Sequence, residues 1–144
     1  MPTTVYVLND SPSSISVDTS VTPALDPGYW SHPSGPVDAP PGPQVEMLWM
    51  DRDVGITKGD TWIFTSTATV GGTEVQMQEQ VTGTAFSSTI ALQIVAADPN
   101  TSWQTDDERL QYQTASGETC QVEGQFVSVP GDDYDNVIYD IVLS

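Results

Sequence analysis

The chain has 144 residues and a net charge of −17, with twenty Asp and Glu set against three basic residues, Arg52, Lys58 and Arg109. Three cations are too few to neutralise the phosphates of a nucleic-acid groove, and an anionic membrane surface repels the chain for the same reason. What stays open is a neutral partner (a glycan, a zwitterionic lipid, another protein or a second copy of the chain) or a cation such as calcium.

Thr3 to Val7 alternates, with Val5 and Val7 on one face and Tyr6 on the other. Asn9-Asp10-Ser11-Pro12 is turn chemistry, and Ile15 and Val17 open a second alternating run to Val21, so the start reads as an N-terminal hairpin. Residues 22–43 carry Pro23, Pro27, Pro33, Pro36, Pro40, Pro41 and Pro43, and no regular element is expected there. Leu25, Tyr29 and Trp30 lie inside this loop, which makes it an ordered flap or a binding loop. From Gln44, the residues Val45, Met47 and Trp49 alternate with Glu46, Leu48 and Met50, which predicts burial on both sides. Asp51 to Asp60 is a turn region. Thr61–Val70 and Thr73–Val81 flank Gly71-Gly72, a hairpin signal, and Val75, Met77, Glu79 and Val81 share one face. Thr89–Ala97 is a strand, and Asp98-Pro99-Asn100 a turn. Leu110 and Tyr112 mark a short strand after Asp106-Asp107-Glu108. Ser116-Gly117 leads into a strand from Cys120 to Val129. Pro130-Gly131-Asp132-Asp133 turns into a last strand, Val137–Leu143.

No stretch holds a 3.6-residue period. The punctuation predicts an all-β fold, a single antiparallel β-sandwich of about nine strands, built as one domain over residues 1–144. The grouped Val, Ile, Trp and Tyr argue against an acidic disordered chain. Cys120 is the one cysteine, so no internal disulfide forms, and its expected place is a buried small apolar site. Met1 to Thr4 has neither a basic nor an apolar leader pattern, and the expectation is a cytoplasmic or leaderless-secreted protein. The sequons at Asn9 and Asn100 then read as chance matches.

Catalytic signatures are missing from the sequence. His32 is the one histidine, no nucleophile elbow accompanies it, and it reads as an exposed loop residue, so no enzyme is expected. One His and one Cys do not make a structural zinc site. With twenty carboxylates, acid pairs carry no information about glycoside hydrolysis. The best calcium candidate is the turn holding Asp132, Asp133, Asp135 and Asn136, whose side-chain oxygens suit a hard cation. Its plain alternative is a solvated acidic turn. Trp49, Trp62, Phe64 and Phe126 sit in strands and are expected in the core. Tyr29, Trp30 and Trp103 sit in loops, where aromatics stack on sugars or enter a lipid interface. Asp26 and Asp106 beside them would accept hydrogen bonds from sugar hydroxyls or face choline-type head groups.

Val5-Tyr6-Val7-Leu8-Asn9, the polar turn, Ile15-Ser16-Val17, the run Asp26-Pro27-Gly28-Tyr29-Trp30 before a Pro-rich stretch, and the Gly55 to Gly59 turn before a Thr-rich strand resemble the aegerolysin and actinoporin-like group of small β-sandwich proteins. The resemblance covers mainly the first half. It implies a single β-sandwich that binds membrane lipids, often sphingolipids, in some cases with a larger pore-forming partner, and hence a toxin-like role. The chain departs from actinoporins in lacking a basic interfacial cluster. Two readings follow: a non-enzymatic, lectin-like module for a neutral glycan or zwitterionic lipid, read by loop aromatics, or a structural or storage-type acidic β-protein stabilised by calcium.

Overall fold

The computed structural model describes residues 2–22, 30–31, 35–51, 59–83, 88–96, 108–128 and 135–143. Among them the chain forms eleven strands and no helix: β1 (Pro2–Asp10), β2 (Ile15–Thr22), β3 (Trp30–Ser31), β4 (Val37–Ala39), β5 (Gln44–Asp51), β6 (Thr61–Val70), β7 (Thr73–Gly83), β8 (Ser88–Val95), β9 (Glu108–Gln113), β10 (Thr119–Ser128) and β11 (Asp135–Leu143). One sheet has six strands in the order β3-β5-β1-β11-β10-β9, and the other has five in the order β4-β2-β6-β7-β8. Val5, Val7, Leu48, Val122 and Ile141 from the first meet Val17, Phe64, Met77, Leu92 and Ile94 from the second in one buried cluster. The all-β class follows from the period-two patterning: β2 alternates buried and exposed from Ile15 to Ser20, and β7 keeps Val75, Met77, Glu79 and Val81 inside. No helix among the described residues is long and apolar enough to cross a membrane.

Four expectations need correction. The strands number eleven rather than about nine, and they are not all antiparallel, because β1 pairs in parallel with β11. The start is not a hairpin. β1 joins β5 and β11, while β2 joins β4 and β6 in the other sheet. Asn9 drives that switch: buried, it donates from Nδ2 to the Ser13 and Ala39 carbonyls at 2.8 and 2.7 Å and accepts the Ser11 amide at 2.9 Å. The Pro-rich segment does form regular structure, β3 and β4, each at a sheet edge. An edge strand needs partners on one side only, so flanking prolines such as Pro36 and Pro40 are tolerated. Finally, β5 is not buried on both faces. The register slips between Val5 and Tyr6, leaving Met47 as the extra residue of a β-bulge. The bulge turns Met47 and Leu48 both inward and reverses the phase beyond them.

Gly71 and Gly72 close the β6–β7 hairpin as predicted, with φ of 58° and 79° and Val70 opposite Thr73. Two successive positive φ values are what a two-residue hairpin of this hand requires. Gly124 serves a different end. A Cβ there would lie 2.8 Å from the Tyr139 ring and 3.3 Å from Leu92 of the other sheet. The missing side chain leaves room for the Tyr139 ring beside it and for Leu92 from the other layer.

Among the described residues one acid is fully buried in the core. Glu79 is fully buried, and burial raises its carboxyl from an ordinary 4.5 to about 8. Tyr139, also fully buried, lies with its hydroxyl 2.5 Å from Glu79 Oε2 and 3.2 Å from the Gln78 carbonyl. One hydroxyl proton does not serve two acceptors well. A neutral Glu79 resolves this: its acid proton is donated to the Tyr139 oxygen, and the Tyr139 proton goes to the Gln78 carbonyl. Glu79 Oε1 has no hydrogen-bond partner, which a neutral carboxyl tolerates far better than a carboxylate does. The pair ties the two sheets together through their centre.

Candidate ligand-binding face

The alternation that fills the core also fixes what each sheet shows outside it. On the six-stranded sheet the outward residues are Thr4, Tyr6 and Leu8 of β1, Glu46 and Trp49 of β5, and Asn136, Ile138, Asp140 and Val142 of β11. Register places Trp49 between Thr4 and Ser31, and Tyr6 between Glu46 and Ile138. Trp49, Tyr6, Leu8 and Ile138 are half-buried, and Val142 is 36% exposed. Tyr6 lies one outward step along β1 from Thr4, the cross-strand neighbour of Trp49, so Trp49 and Tyr6 occupy neighbouring outward positions on adjacent strands.

Around this apolar stripe the face is acidic and amide-rich. Glu123 sits opposite Asp140 and Gln125 opposite Ile138 on β10, and Arg109 on β9 lies opposite Glu123. Arg109 donates to Gln121 Oε1 at 2.6 Å, and Gln125 donates to Glu123 Oε1 at 2.7 Å. Asp140 is pushed up to about 7, first by burial and then by its hydrogen bond to Asp10 and the charges of Asp10 and Glu123. A like charge beside it disfavours the ionised form of Asp140, as burial does. The stripe thus offers ring faces for stacking, with oxygen acceptors and amide donors at its margin.

The residues singled out from sequence fall differently. Tyr29, Asp26, Trp103, Asp106, Asp132 and Asp133, with His32, lie outside the described residues. Asp135 is described only as the first residue of β11. Trp30 is in a strand, not a loop: it pairs with Met50, faces the core, and meets Phe64 edge-on with ring centroids 5.6 Å apart and planes at 65°. Asn136 Oδ1 accepts the Thr4 amide at 3.1 Å, across 132 positions of sequence, and so helps hold the parallel β1–β11 pair. Among the described residues no three His, Cys, Asp or Glu side chains gather where they could hold a metal ion. Cys120 is buried and free, and burial pushes its thiol up, which keeps it unreactive.

Trp49 reverses its expected place. Alternation puts it in the core, and it stands on the outer face, whereas Trp30, expected at the surface, packs inward. The bulge at Met47 is the cause for Trp49, since it inverts the phase of β5 between Glu46 and Trp49. Tyr6 was legible, being set opposite Val5 and Val7 in the first strand. No family model matches the chain, and no curated protein matches it.

Proposed function

We propose that the chain is a non-enzymatic binding module for a neutral glycan, held on the outer face of the six-stranded sheet. The observation that carries this reading is the outward pair Trp49 and Tyr6 on adjacent strands, bordered by Glu46, Asp140 and Gln125. Aromatic rings offer the C–H face of a sugar an apolar platform. Carboxylates and amides accept and donate to its hydroxyls. The margin is acidic, which disfavours anionic lipid, sulfated glycan and nucleic acid. Tyr29 and Trp103, singled out from sequence, would extend the same recognition in the finer reading of the chain as a sandwich with aromatic loops.

The test is retention of the full chain on immobilised neutral polysaccharides (cellulose, starch, mannan, chitin and β-1,3-glucan) beside vesicles of phosphatidylcholine with sphingomyelin. Retention on a glycan, weakened about five-fold by Trp49→Ala at an aromatic contribution of roughly 1 kcal/mol, supports the reading. Retention on vesicles alone replaces it with the zwitterionic-lipid reading that the aegerolysin resemblance implies. Failure on every surface removes it in favour of a structural or storage-type role.

A further inference from the structure

The geometry points to a second binding site, separate from the aromatic face, that takes a single neutral sugar ring or a polyol of similar size. It is a cavity of about 240 Å³ where the β1–β2 turn, the β6–β7 hairpin and the β9–β10 turn converge. Ser13, Ser14, Thr69 and Ser116 line it with hydroxyls, and Glu118 adds a carboxylate. Ile15 and Leu143 supply apolar wall. The volume falls just below the roughly 300 Å³ at which drug-sized sites begin, which suits one ring and not a chain.

The three turns are held rigidly before any ligand arrives. Asn9 fixes the first, and the Ser11 hydroxyl donates to the Ser13 carbonyl at 2.9 Å. The other two are bound to each other: Ser116 donates from both its amide and its hydroxyl to the Gly71 carbonyl, each at 3.2 Å. Thr114, buried beneath them, bonds the Ser116 hydroxyl at 3.0 Å and accepts the Glu118 amide at 3.2 Å. Gly71 permits this approach, because a Cβ there would fall 2.7 Å from the Thr114 side chain. The hydroxyls of Ser13, Ser14 and Thr69 have no partner among the described residues. A wall so prepared spends little ordering entropy on binding.

The lining selects the ligand class. Among the described residues it contains no cation, so a phosphate or carboxylate finds no counter-charge. It contains no aromatic ring among them either, so a quaternary ammonium finds no cage. Hydroxyls that both donate and accept, with one carboxylate able to accept from two adjacent hydroxyls, match a polyol.

The experiment is a two-dimensional amide NMR titration of the full chain with glucose, galactose, mannose, N-acetylglucosamine, myo-inositol and glycerol, each to tens of millimolar. The expected result is saturable shifts at the amides of Ser13, Gly71, Ser116 and Glu118 with at least one of these probes. Ser14→Phe should abolish the shifts by filling the cavity. Glu118→Gln should weaken binding roughly ten-fold, as loss of a charge-assisted hydrogen bond does. Thr69→Val, isosteric and exposed, serves if Ser14→Phe fails to fold, and should weaken binding roughly three-fold. No saturable shift at this end with any probe overturns the site. So does a shift that survives Ser14→Phe in a folded variant. Shifts confined to Trp49 and Tyr6 overturn it while supporting the proposed function, and shifts confined to the pocket support it and leave the aromatic face to the polysaccharide test.

Discussion

Replacing Glu79 by glutamine separates the charge of the buried acid from its shape. Glu79 has its carboxyl raised from 4.5 to about 8 by burial. A raised acid binds a proton in the folded chain that the unfolded chain has already released. The contribution of Glu79 to stability is therefore greatest below pH 4.5, where both states are protonated, and falls as pH rises towards 8. Beyond about 8 the folded chain also loses the proton, and the penalty levels off. The interval from 4.5 to about 8, at about 1.4 kcal/mol per pH unit, amounts to roughly 5 kcal/mol. That is a large part of the roughly 5–15 kcal/mol that keeps a typical domain folded. A glutamine amide can donate to the Tyr139 oxygen as the neutral acid does, so the hydrogen-bond relay survives. Urea denaturation at fixed ionic strength from about pH 4.5 to 8.5 gives the two stability curves. They should lie within about 1 kcal/mol of each other near pH 5, and the Glu79→Gln variant should be the more stable by several kcal/mol at about pH 8. Parallel curves across the range would refute the neutral-acid reasoning. The difference between the curves isolates Glu79 from Asp140, whose own titration moves both alike.

Three further outcomes follow from the packing and charge. Trp30→Ala should cost about 2–3 kcal/mol, a half-buried share of the usual Trp-to-Ala loss plus an edge-on ring contact, whereas Trp49→Ala should cost less than about 1 kcal/mol in the same urea melts. Gly124→Ala should destabilise by about 1–3 kcal/mol, because the new methyl would overlap the Tyr139 ring; an unchanged midpoint would mean the ring has room to move aside. Sodium chloride should raise the melting temperature by screening the −17 charge. Calcium at matched ionic strength should do no more; a sub-millimolar calcium effect lost in Asp133→Asn would place a cation at Asp132, Asp133, Asp135 and Asn136.

The sequence carried the local rules and hid the long-range ones. Alternation named the strands, and Gly71-Gly72 named its hairpin, because both depend on neighbours in the chain. Glu79 was visible on the apolar face of its strand, but its partner Tyr139 lies 60 positions away, and no local pattern points there. The same distance problem made β1 look like half of a hairpin, when its partners are β5 and β11. Residues 22–43 looked structureless because proline forbids a central strand, yet two edge strands ask less of the backbone. The candidate face was obscured by a single residue. Met47 bulges, so counting by twos from Val45 puts Trp49 inside and hides the most informative surface aromatic. Trp30 misled in the opposite way: its polar and Pro-rich neighbours suggested a loop, while its ring covers Phe64 at the sheet edge.

The central claim is that Trp49 and Tyr6 form a sugar-binding platform. Its most direct test is a calorimetric titration of the wild type, Trp49→Ala and Tyr6→Ala with soluble oligosaccharides of the neutral polysaccharides named above, with Trp30→Ala as the inward control. Wild-type binding to one of them, reduced about five-fold by each outward change and left intact by Trp30→Ala in protein that remains folded, is the result the account predicts. Full affinity in Trp49→Ala and Tyr6→Ala, or no binding to any of these sugars, would contradict it.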